Sequence, residues 1–471
     1  MFYRLIDEMR LCGWKGKSWV LVRRPHNAIR VLSRDEFDVL LICDGETNIE
    51  IEELTSEQRN ILERLMNKKF VTLHEKANPI HNYQHYKYYS NRFVQSVVWS
   101  ITGRCNFRCR HCYMDAPVGA LGEMSHEDAM ELIDQIADCG VLQVDITGGE
   151  PFVRKDFWQI VDRIQERGIR LGQIYTNGWL FNESVISELE KRGLRPEISI
   201  SFDGLGQHDW MRGVHGAEKA AISALRLCAE HGFPTSVEMC VHKGNLHTIR
   251  DTVNYLADMG VLGIKICNVA DTSLWRAHSE GLNMSDEEYI NAMLEYIPHY
   301  FEDGMPIGLL IGGVVGLKRG IPAYQVIPEL YQDDERTKNC YMCSCARHSS
   351  YITAEGRLLP CMPMTSVDDQ SMFPLIKDIG LQKGLSDSFY MEYVDRKVGN
   401  LFEVNETCGR CEHRYKCGGG CRAKALLDKD HDLMGCDYNQ CMMFEKGYPD
   451  QIRAVCNAAI EKYCSDVKKD D

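Results

Sequence analysis

The chain has 471 residues, of which 44% are hydrophobic and 26% charged, values typical of a globular protein rather than a disordered one. Its formal net charge of −14 disfavours a polynucleotide partner, because binding to phosphates needs an excess of basic residues. The chain carries 21 cysteines but is far too long to need disulfide staples, and it shows neither a secretory signal nor an 18-residue apolar stretch. We therefore expect a cytoplasmic protein without a membrane partner, whose clustered thiols bind metal or serve redox chemistry.

Residues 1–85 are predicted to form a small winged-helix domain. Two β-like runs are Trp19–Val22 and Ala28–Leu32. Two helices follow, and their first turns match the capping-box pattern at Ser33 to Glu36 and at Thr55 to Gln58. A returning strand is expected at Phe70–Leu73. The Asn-, His- and Tyr-rich segment Asn78–Asn91 is predicted to be a linker. DNA binding by the wing is disfavoured because the second helix is mixed in charge and the whole chain is acidic.

Strands and helices alternate over residues 92–310, which predicts an α/β fold with a parallel sheet and right-handed crossovers. Six strands are expected: Ser96–Thr102, Val141–Thr147, Leu171–Thr176, Glu197–Phe202, Ser236–Val241 and Gly263–Val269. The helices between them include Ser125–Cys139, Asp156–Arg167 and Asn182–Lys191. Because the alternation stops after Val269, we predict a partial (β/α)6 barrel of the TIM type, with active residues at the C-terminal ends of its strands. One more helix, Ser285–Phe301, and a linker over residues 311–339 then lead to a cysteine-rich tail.

Three cysteines follow the first predicted barrel strand. Cys105, Cys109 and Cys112 lie on a strand-to-helix loop in the pattern CxxxCxxC. A 4Fe-4S cluster is usually held by four thiolates, so three thiolates would leave one iron with open coordination. The alternatives are unliganded cysteines or a zinc site completed by His111. Zinc is disfavoured because His111 directly precedes Cys112 and no CxxC pair begins the motif.

With these residues the chain resembles the radical S-adenosylmethionine (AdoMet) enzymes, whose CxxxCxxC signature follows the first strand of a partial (β/α)6 barrel. Further elements of that family match at the next three strand ends: Gly148-Gly149-Glu150-Pro151, Tyr175-Thr176-Asn177-Gly178, and Ser199-Ile200-Ser201. The resemblance implies that the open iron chelates AdoMet and that a 5′-deoxyadenosyl radical abstracts hydrogen from the substrate. It also implies AdoMet contacts from His111, Gly148, Gly149, Glu150, Pro151, Asn177, Ser199, Ser201 and Arg212. For Arg212, a solvated surface position is the alternative.

Residues 340–471 contain a second concentration of cysteines. The pattern is Cys345-x10-Gly356-x4-Cys361, then Cys408-x2-Cys411-x5-Cys417-x3-Cys421, with Cys340 and Cys343 before it and Cys436 and Cys441 after it. From spacing alone a zinc ribbon is an alternative to iron–sulfur clusters. The eight remaining cysteines are scattered and are predicted to be small core residues: Cys12, Cys43, Cys139, Cys228, Cys240, Cys267, Cys456 and Cys464.

The arrangement in the tail resembles the SPASM extension of radical AdoMet proteins, which binds two auxiliary 4Fe-4S clusters. The resemblance implies a first cluster on Cys345, Cys361 and Cys421, with Cys340 or Cys343 as fourth ligand. It implies a second cluster on Cys408, Cys411 and Cys417, completed by Cys436 or by Cys441. Of these two, Cys441 fits better the long gap that usually precedes the last cysteine of the extension. If the first auxiliary cluster has an open iron, that iron would bind a substrate thiolate instead.

Together the three regions resemble maturases of ribosomally synthesised precursor peptides. The resemblance implies that residues 1–85 bind a leader peptide by adding it as a strand to a sheet edge. It also implies an external one-electron reductant and a thioether or other cross-link in the peptide. Three alternatives remain: an anaerobic sulfatase-type maturase that oxidises Ser or Cys to formylglycine, a peptide epimerase, and a non-catalytic iron–sulfur or zinc scaffold. The N-terminal domain argues against the first, and the Gly-Gly-Glu-Pro element has no purpose in the last.

Overall fold

A computed structural model describes residues 1–114, 121–343, 345–367, 370–429 and 431–470, except for the side chains at positions 345, 346 and 468–470. The strands are β1 Phe2–Leu5, β2 Met9–Lys15, β3 Lys17–Arg23, β4 Ala28–Val31, β5 Asp44–Asn48, β6 Val71–His74, β7 Lys87–Arg92, β8 Ser96–Ser100, β9 Gln143–Thr147, β10 Arg170–Thr176, β11 Glu197–Ser201, β12 Thr235–Val241, β13 Gly263–Asn268, β14 Gly308–Ile311, β15 Val315–Lys318, β16 Ile321–Val326, β17 Ser349–Ile352 and β18 Leu358–Leu359.

The α-helices, also numbered along the chain, are α1 Arg34–Leu41, α2 Ser56–Asn67, α3 His126–Asp138, α4 Phe157–Glu166, α5 Glu183–Lys191, α6 His208–Arg212, α7 Ala217–Glu230, α8 Ile249–Asp258, α9 Ser273–His278, α10 Asp286–Glu302, α11 Cys345–His348, α12 Ile376–Ile379, α13 Leu381–Gly384, α14 Phe389–Asp395, α15 Val398–Val404, α16 Glu406–Arg410, α17 Arg414–Cys417, α18 Arg422–Leu427, α19 Tyr438–Glu445 and α20 Tyr448–Asp470. Over the described ranges, no helix is both long enough and apolar enough to cross a membrane.

The central sheet has 11 strands in the order β16-β15-β14-β13-β12-β11-β10-β9-β8-β17-β18. The six predicted barrel strands are all present as β8 to β13, and each pairs in parallel with its neighbour. Apolar residues such as Ile146, Ile174 and Ile200 pack with the helices in the main core. Because side chains alternate along a strand, the opposite face carries polar residues such as Glu197, Ser199 and Glu238. The sheet therefore has a polar face suited to a ligand.

The sheet extends further at both sides than the sequence predicts. The prediction that the alternation ends at Val269 is wrong, because β14 follows α10 and pairs in parallel with β13. The apolar run Ile307–Leu317 hides this strand, since it continues through a glycine turn into β15 without a polar break. Residues 311–339 are likewise not a plain linker, because β15 and β16 form an antiparallel hairpin on β14. At the other side β17 joins β8 in parallel, so the cysteine-rich region is built onto the barrel.

The N-terminal region contains two sheets where the sequence predicts one. A three-stranded sheet, β5-β1-β6, packs with α1 and α2, whereas β4, β3, β2 and β7 form a separate four-stranded sheet. The predicted runs Trp19–Val22 and Ala28–Leu32 correspond to β3 and β4, and the returning strand β6 lies in the other sheet. The cause is the pair of unpredicted strands β1 and β2, since β1 inserts between β5 and β6. A winged-helix domain remains a prediction.

The predicted linker Asn78–Asn91 is ordered, so that prediction is wrong. Its end forms β7, which pairs in parallel with β2. Gln84 is fully buried and its amide donates hydrogen bonds to the carbonyls of Leu5, Ile6 and Met9. The polar residues that suggested a linker therefore satisfy buried backbone groups instead.

The four-stranded sheet contacts the barrel at the segment between α3 and β9. Trp14 is fully buried and its Nε1 donates to the carbonyl of Cys139 over 3.1 Å, while Asn27 Nδ2 donates to the carbonyl of Leu142 over 2.6 Å. Gly140 (φ +70°) allows this contact, because a Cβ there would lie 2.6 Å from the Tyr89 ring and 2.7 Å from Trp14. The N-terminal region thus sits at the end of the barrel where its strands begin.

Candidate functional site

The CxxxCxxC cysteines lie on the loop that follows β8, at the edge of the sheet where the parallel strands end. The loop is anchored by Phe107, which is buried and packs edge-to-face on Trp179 with ring centroids 5.7 Å apart. The backbone N–H of Arg110 donates to the carbonyl of Met211 over 2.9 Å. Cys105, Cys109 and Cys112 are each partly exposed. The three thiols therefore lie close together on one anchored loop, since burial and, with smaller effects, Cys109 and Cys112 act to raise the pKa of Cys105.

The Gly-Gly-Glu-Pro element packs directly against this loop. The N–H of Gly149 donates to the carbonyl of Thr102 over 2.8 Å, and the N–H of Glu150 donates to the carbonyl of Arg104 over 2.9 Å. A Cβ at position 149 would lie 2.6 Å from the Arg104 carbonyl carbon and 3.0 Å from Cβ of Cys105. Glycine is needed here because any side chain would displace the cysteine loop.

Glu150 connects the second and third strand ends. Its carboxylate is fully buried and accepts hydrogen bonds from Thr176 Oγ1 over 2.9 Å and from the Asn177 backbone N–H over 2.8 Å. Burial raises the pKa of Glu150 to about 7 despite these bonds. Pro151 is buried and begins a short 3₁₀ helix directly after it. Glu150 therefore positions the Asn177 segment.

Asn177 in turn reaches the first cysteine. Its Nδ2 donates to Asn106 Oδ1 over 2.8 Å and lies 3.9 Å from Cys105 Sγ. The structure thus brings the ends of β8, β9 and β10 together at one point. Asn106 belongs to this group although no sequence motif assigned it a role.

Ser199 and Ser201 lie on the same face of β11, opposite Ile198 and Ile200. Ser199 is buried, and its Oγ has no hydrogen-bond partner among the residues that the structure describes. Ser201 is half-buried. A buried hydroxyl without a partner costs free energy unless a ligand completes its bonds. The pair therefore suits a polar ligand over the end of β11.

Arg212 is buried beside the cysteine loop, so the alternative of a solvated surface position is wrong. Its Nη1 lies 3.9 Å from Cys109 Sγ, and its Nε lies 2.7 Å from Asp203 Oδ2. Burial alone would raise the pKa of Asp203, but Arg212 and His208 outweigh it and hold that pKa well below its usual range. Asp203 is therefore a carboxylate at neutral pH, and it orients Arg212 toward Cys109.

Sequence reasoning missed Asp203. The residue was visible in the run Ser201-Phe202-Asp203-Gly204, and its place at a strand end was the available signal. Its Oδ1 also accepts from the Cys240 backbone N–H over 3.1 Å. Asp203, Cys240 and His111 have potential ligand atoms within 4.8 Å of one another, but Arg212 already neutralises Asp203, which disfavours a further cation there.

His111 is neutral and points into the same group. Burial, followed by the Arg212 charge, lowers the pKa of His111 to about 3. Its Nδ1 is buried without a hydrogen-bond partner in the described parts of the chain. Partly exposed thiols, an unpartnered imidazole nitrogen and an unpartnered hydroxyl thus converge at one edge. This donor set fits a 4Fe-4S cluster on three cysteines with a polar organic ligand beside it.

The tail cysteines gather in two groups. In the first group, Cys343 and Cys361 both lie near enough to Tyr390 to raise its pKa, after a larger effect of burial. Cys421 and Cys343 similarly affect Tyr393. Cys340 is partly exposed. The side chain of Cys345 lies outside the described residues, so the predicted ligand set of the first auxiliary cluster remains a prediction.

The second group contains both candidates for the final ligand. Cys408 Sγ and Cys436 Sγ are 3.9 Å apart. Burial, followed by smaller effects of Cys436, Cys417 and Cys411, raises the pKa of Cys441 to about 12, which places these thiols near one another. The structure therefore brings Cys408, Cys411, Cys417, Cys436 and Cys441 together, one more thiol than a cluster with four cysteine ligands needs.

A model of the Radical SAM superfamily matches residues 99–256. The AdoMet-dependent heme synthase of Methanosarcina barkeri is 24% identical, covering 70% of this chain and 91% of that protein. The PqqA peptide cyclase of Granulibacter bethesdensis is 28% identical, and the match covers 71% of this chain and 84% of that protein. The subtilosin biosynthesis protein AlbA of Bacillus subtilis is 26% identical, and the match covers 72% of this chain and 69% of that protein.

Solved structures share the fold over most of the chain. SuiB of Streptococcus suis bound to its precursor peptide SuiA has a TM-score of 0.64 at 17% identity, covering 93% of this chain and all of the other (100%). The structure of anSMEcpe with AdoMet has a TM-score of 0.55 at 17% identity, covering 77% and 99%. The chain thus contains a domain of the Radical SAM superfamily over residues 99–256, and its fold is similar to that of SuiB.

Proposed function

We propose that this protein is a radical SAM enzyme that modifies a ribosomally synthesised precursor peptide, with a thioether or other cross-link as the product. The observation that carries the proposal is the convergence of three loop thiols with Glu150, Asn177, Ser199 and Arg212 at one sheet edge, in a chain whose fold follows that of peptide-bound SuiB over 93% of its length. The names of two relatives, a PqqA peptide cyclase and the subtilosin protein AlbA, support a peptide as substrate.

The site residues divide the work of holding the cofactors. Cys105, Cys109 and Cys112 would hold a 4Fe-4S cluster, which would supply the electron for cleavage of AdoMet into methionine and a hydrogen-abstracting 5′-deoxyadenosyl radical. Beside it, Arg212, oriented by Asp203 and with Nη1 near Cys109, donates hydrogen bonds to a polar group of AdoMet. The Ser199 hydroxyl meets a polar group of the nucleoside. The cysteine loop is fixed by Gly148 and Gly149, and Glu150 holds Asn177 in place.

Two auxiliary 4Fe-4S clusters belong to the proposal. The first uses Cys345, Cys361, Cys421 and one of Cys340 and Cys343. The second uses Cys408, Cys411 and Cys417, completed by Cys436 or Cys441. The Sγ atoms of Cys408 and Cys436 are 3.9 Å apart, which supports Cys436 as the fourth ligand. The spacing of the cysteines along the sequence supports Cys441 equally. An external one-electron reductant supplies the electrons.

A leader peptide adds as a strand to an edge within residues 1–85. The outer edge of β5 is already covered, because Asn78 and Ile80 donate backbone hydrogen bonds to the carbonyls of Gly45 and Asp44. The outer edges of β4 and β6 carry no backbone partner in the described chain. Val31 on β4 is 60% exposed and Leu73 on β6 is 41% exposed. Such open edges are suited to strand addition, in which main-chain hydrogen bonds give affinity.

The test is turnover with the precursor peptide encoded beside the gene. After anaerobic reconstitution, the protein, AdoMet, reductant and peptide are expected to yield 5′-deoxyadenosine and a peptide that has lost two hydrogens. A formylglycine product from Ser shows the same mass loss but reacts with a hydrazide, and epimerisation leaves the mass unchanged while solvent deuterium enters. Failure to form 5′-deoxyadenosine when Cys105, Cys109 and Cys112 are intact refutes the proposal.

A further inference from the structure

Arg422 is an unusual buried charge in the cysteine-rich region. Its side chain is 1% exposed, and its guanidinium is held by three backbone carbonyls. Nη1 donates to Leu433 over 2.8 Å and to Gly435 over 2.9 Å, and Nη2 donates to Gly419. Nε is buried and has no hydrogen-bond partner within the described residues. The guanidinium is therefore held through both Nη atoms, and its Nε–H is left without a partner among the residues described.

The guanidinium stands between the two groups of tail cysteines. Arg422 directly follows Cys421 of the first group, and the carbonyl of Gly435 that it binds precedes Cys436 of the second. Burial raises the pKa of the Cys408, Cys417 and Cys421 thiols, and the Arg422 charge acts in the opposite direction on all three. Arg422 is thus close to thiols of both predicted auxiliary clusters.

No carboxylate within ion-pairing distance neutralises this charge in the part of the chain that the structure describes. The hydrogen-bond partners of the guanidinium are backbone carbonyls. Asp437 is a nearby buried carboxylate, and the Arg422 charge acts to lower its pKa against a larger effect of burial, but the two groups form no ion pair. A buried charge with so little compensation is unfavourable. An iron–sulfur cluster on four thiolates is an anion, and hydrogen bonds to its sulfur atoms and nearby charge set its reduction potential. The weakly compensated charge and the spare Nε–H are both explained if clusters lie on either side.

We propose that Arg422 is a positioning residue that raises the reduction potential of the auxiliary clusters, through its fixed charge and a hydrogen bond from Nε to sulfur. The inference rests on the proposed function, in which those clusters are present. Reduction adds negative charge to a cluster, so a nearby cation stabilises the reduced form. Removing the charge lowers the potential and makes the clusters poorer electron acceptors from the peptide.

The test is a redox titration, followed by electron paramagnetic resonance, of the full chain with Cys105→Ala, Cys109→Ala and Cys112→Ala, so that only auxiliary clusters contribute. Into this background we would introduce Arg422→Gln, which removes the charge, and Arg422→Lys, which keeps it. Arg410→Gln is the matched control, because it removes a charge from the same region but from a side chain that is 81% exposed. Iron content and the unfolding temperature of the iron-free chains are measured in parallel.

We expect Arg422→Gln to shift the one-electron equilibrium of at least one auxiliary cluster toward the oxidised form by about tenfold or more, which is about 59 mV. Arg422→Lys keeps the charge but lacks the Nε–H, so its shift is expected to be in the same direction and smaller. Arg410→Gln is expected to stay within about twofold of the parent, since a surface charge is screened. An unchanged potential in fully loaded Arg422→Gln overturns the inference. So does loss of auxiliary iron from both Arg422 variants, which would make the residue only a clamp between loops. A parent that binds no auxiliary cluster refutes the cluster assignment itself, and its iron content reveals this separately.

Discussion

Replacement of Gly149 by alanine tests how tightly the second strand end and the cysteine loop are coupled. The new Cβ would lie 2.6 Å from the Arg104 carbonyl carbon and 3.0 Å from Cβ of Cys105, and closer still to the Arg104 oxygen. Carbon atoms in ordinary contact are about 3.5–4.0 Å apart, so the loop must move by roughly 1 Å. A misplacement of that size costs about 100-fold in rate when it separates reacting groups.

We therefore expect Gly149→Ala to lower the rate of 5′-deoxyadenosine formation by about 100-fold while leaving the fold intact. The assay measures 5′-deoxyadenosine by liquid chromatography, together with circular dichroism and iron content. Gly316→Ala is the matched control, because a Cβ at that position in β15 meets no atom closer than 3.9 Å. A Gly149→Ala protein with the rate and iron content of the parent would refute the reasoning.

Three further predictions follow from the structure. Burial raises the pKa of Asp145 to about 6, so the folded state holds a proton that the unfolded state releases near pH 4. The contribution of Asp145 to the free energy of unfolding is therefore expected to fall by about 3 kcal/mol as the pH rises from 4 to 8. Urea unfolding of Asp145→Asn should show a smaller decline with pH than the parent, and an equal decline contradicts the assignment. Asp203→Ala leaves Arg212 buried without its partner and should cost about 3–5 kcal/mol in the same assay, whereas a cost below about 1 kcal/mol would show that the pair is not a buried ion pair. Val31→Pro or Leu73→Pro removes an outward N–H from β4 or β6 and should weaken precursor binding about tenfold or more, measured by fluorescence anisotropy, and unchanged binding in both variants argues against strand addition.

The barrel and the core of its site were predictable because their signals are local. Strands β8 to β13 are short apolar runs between capped helices, and the cysteine loop and the Gly-Gly-Glu-Pro element are contiguous motifs at strand ends. The convergence of Glu150, Asn177 and Cys105 then follows from parallel topology, which brings successive strand ends to one edge.

What the sequence did not reveal depends on contacts between distant segments. Strand β1 pairs with β5 and β6, which are about 40 and 70 residues away, and its four residues give too short a pattern to recognise. The segment before β7 resembles a linker in sequence because it is rich in polar residues. In the structure polar side chains of this segment bond to buried carbonyls, as Gln84 does. Asp203 and Arg422 belong to no motif quoted for the sequence, and only the packing around them shows that each is a buried charge.

The central claim is that a radical formed at the cysteine loop removes a hydrogen atom from a bound precursor peptide. The most direct measurement is the isotope content of 5′-deoxyadenosine produced with a precursor peptide that is deuterated at its carbon-bound positions. The account predicts that deuterium passes from the peptide into 5′-deoxyadenosine, and that the transfer disappears when Cys105, Cys109 and Cys112 are replaced by alanine. Modified peptide accompanied by unlabelled 5′-deoxyadenosine would contradict it.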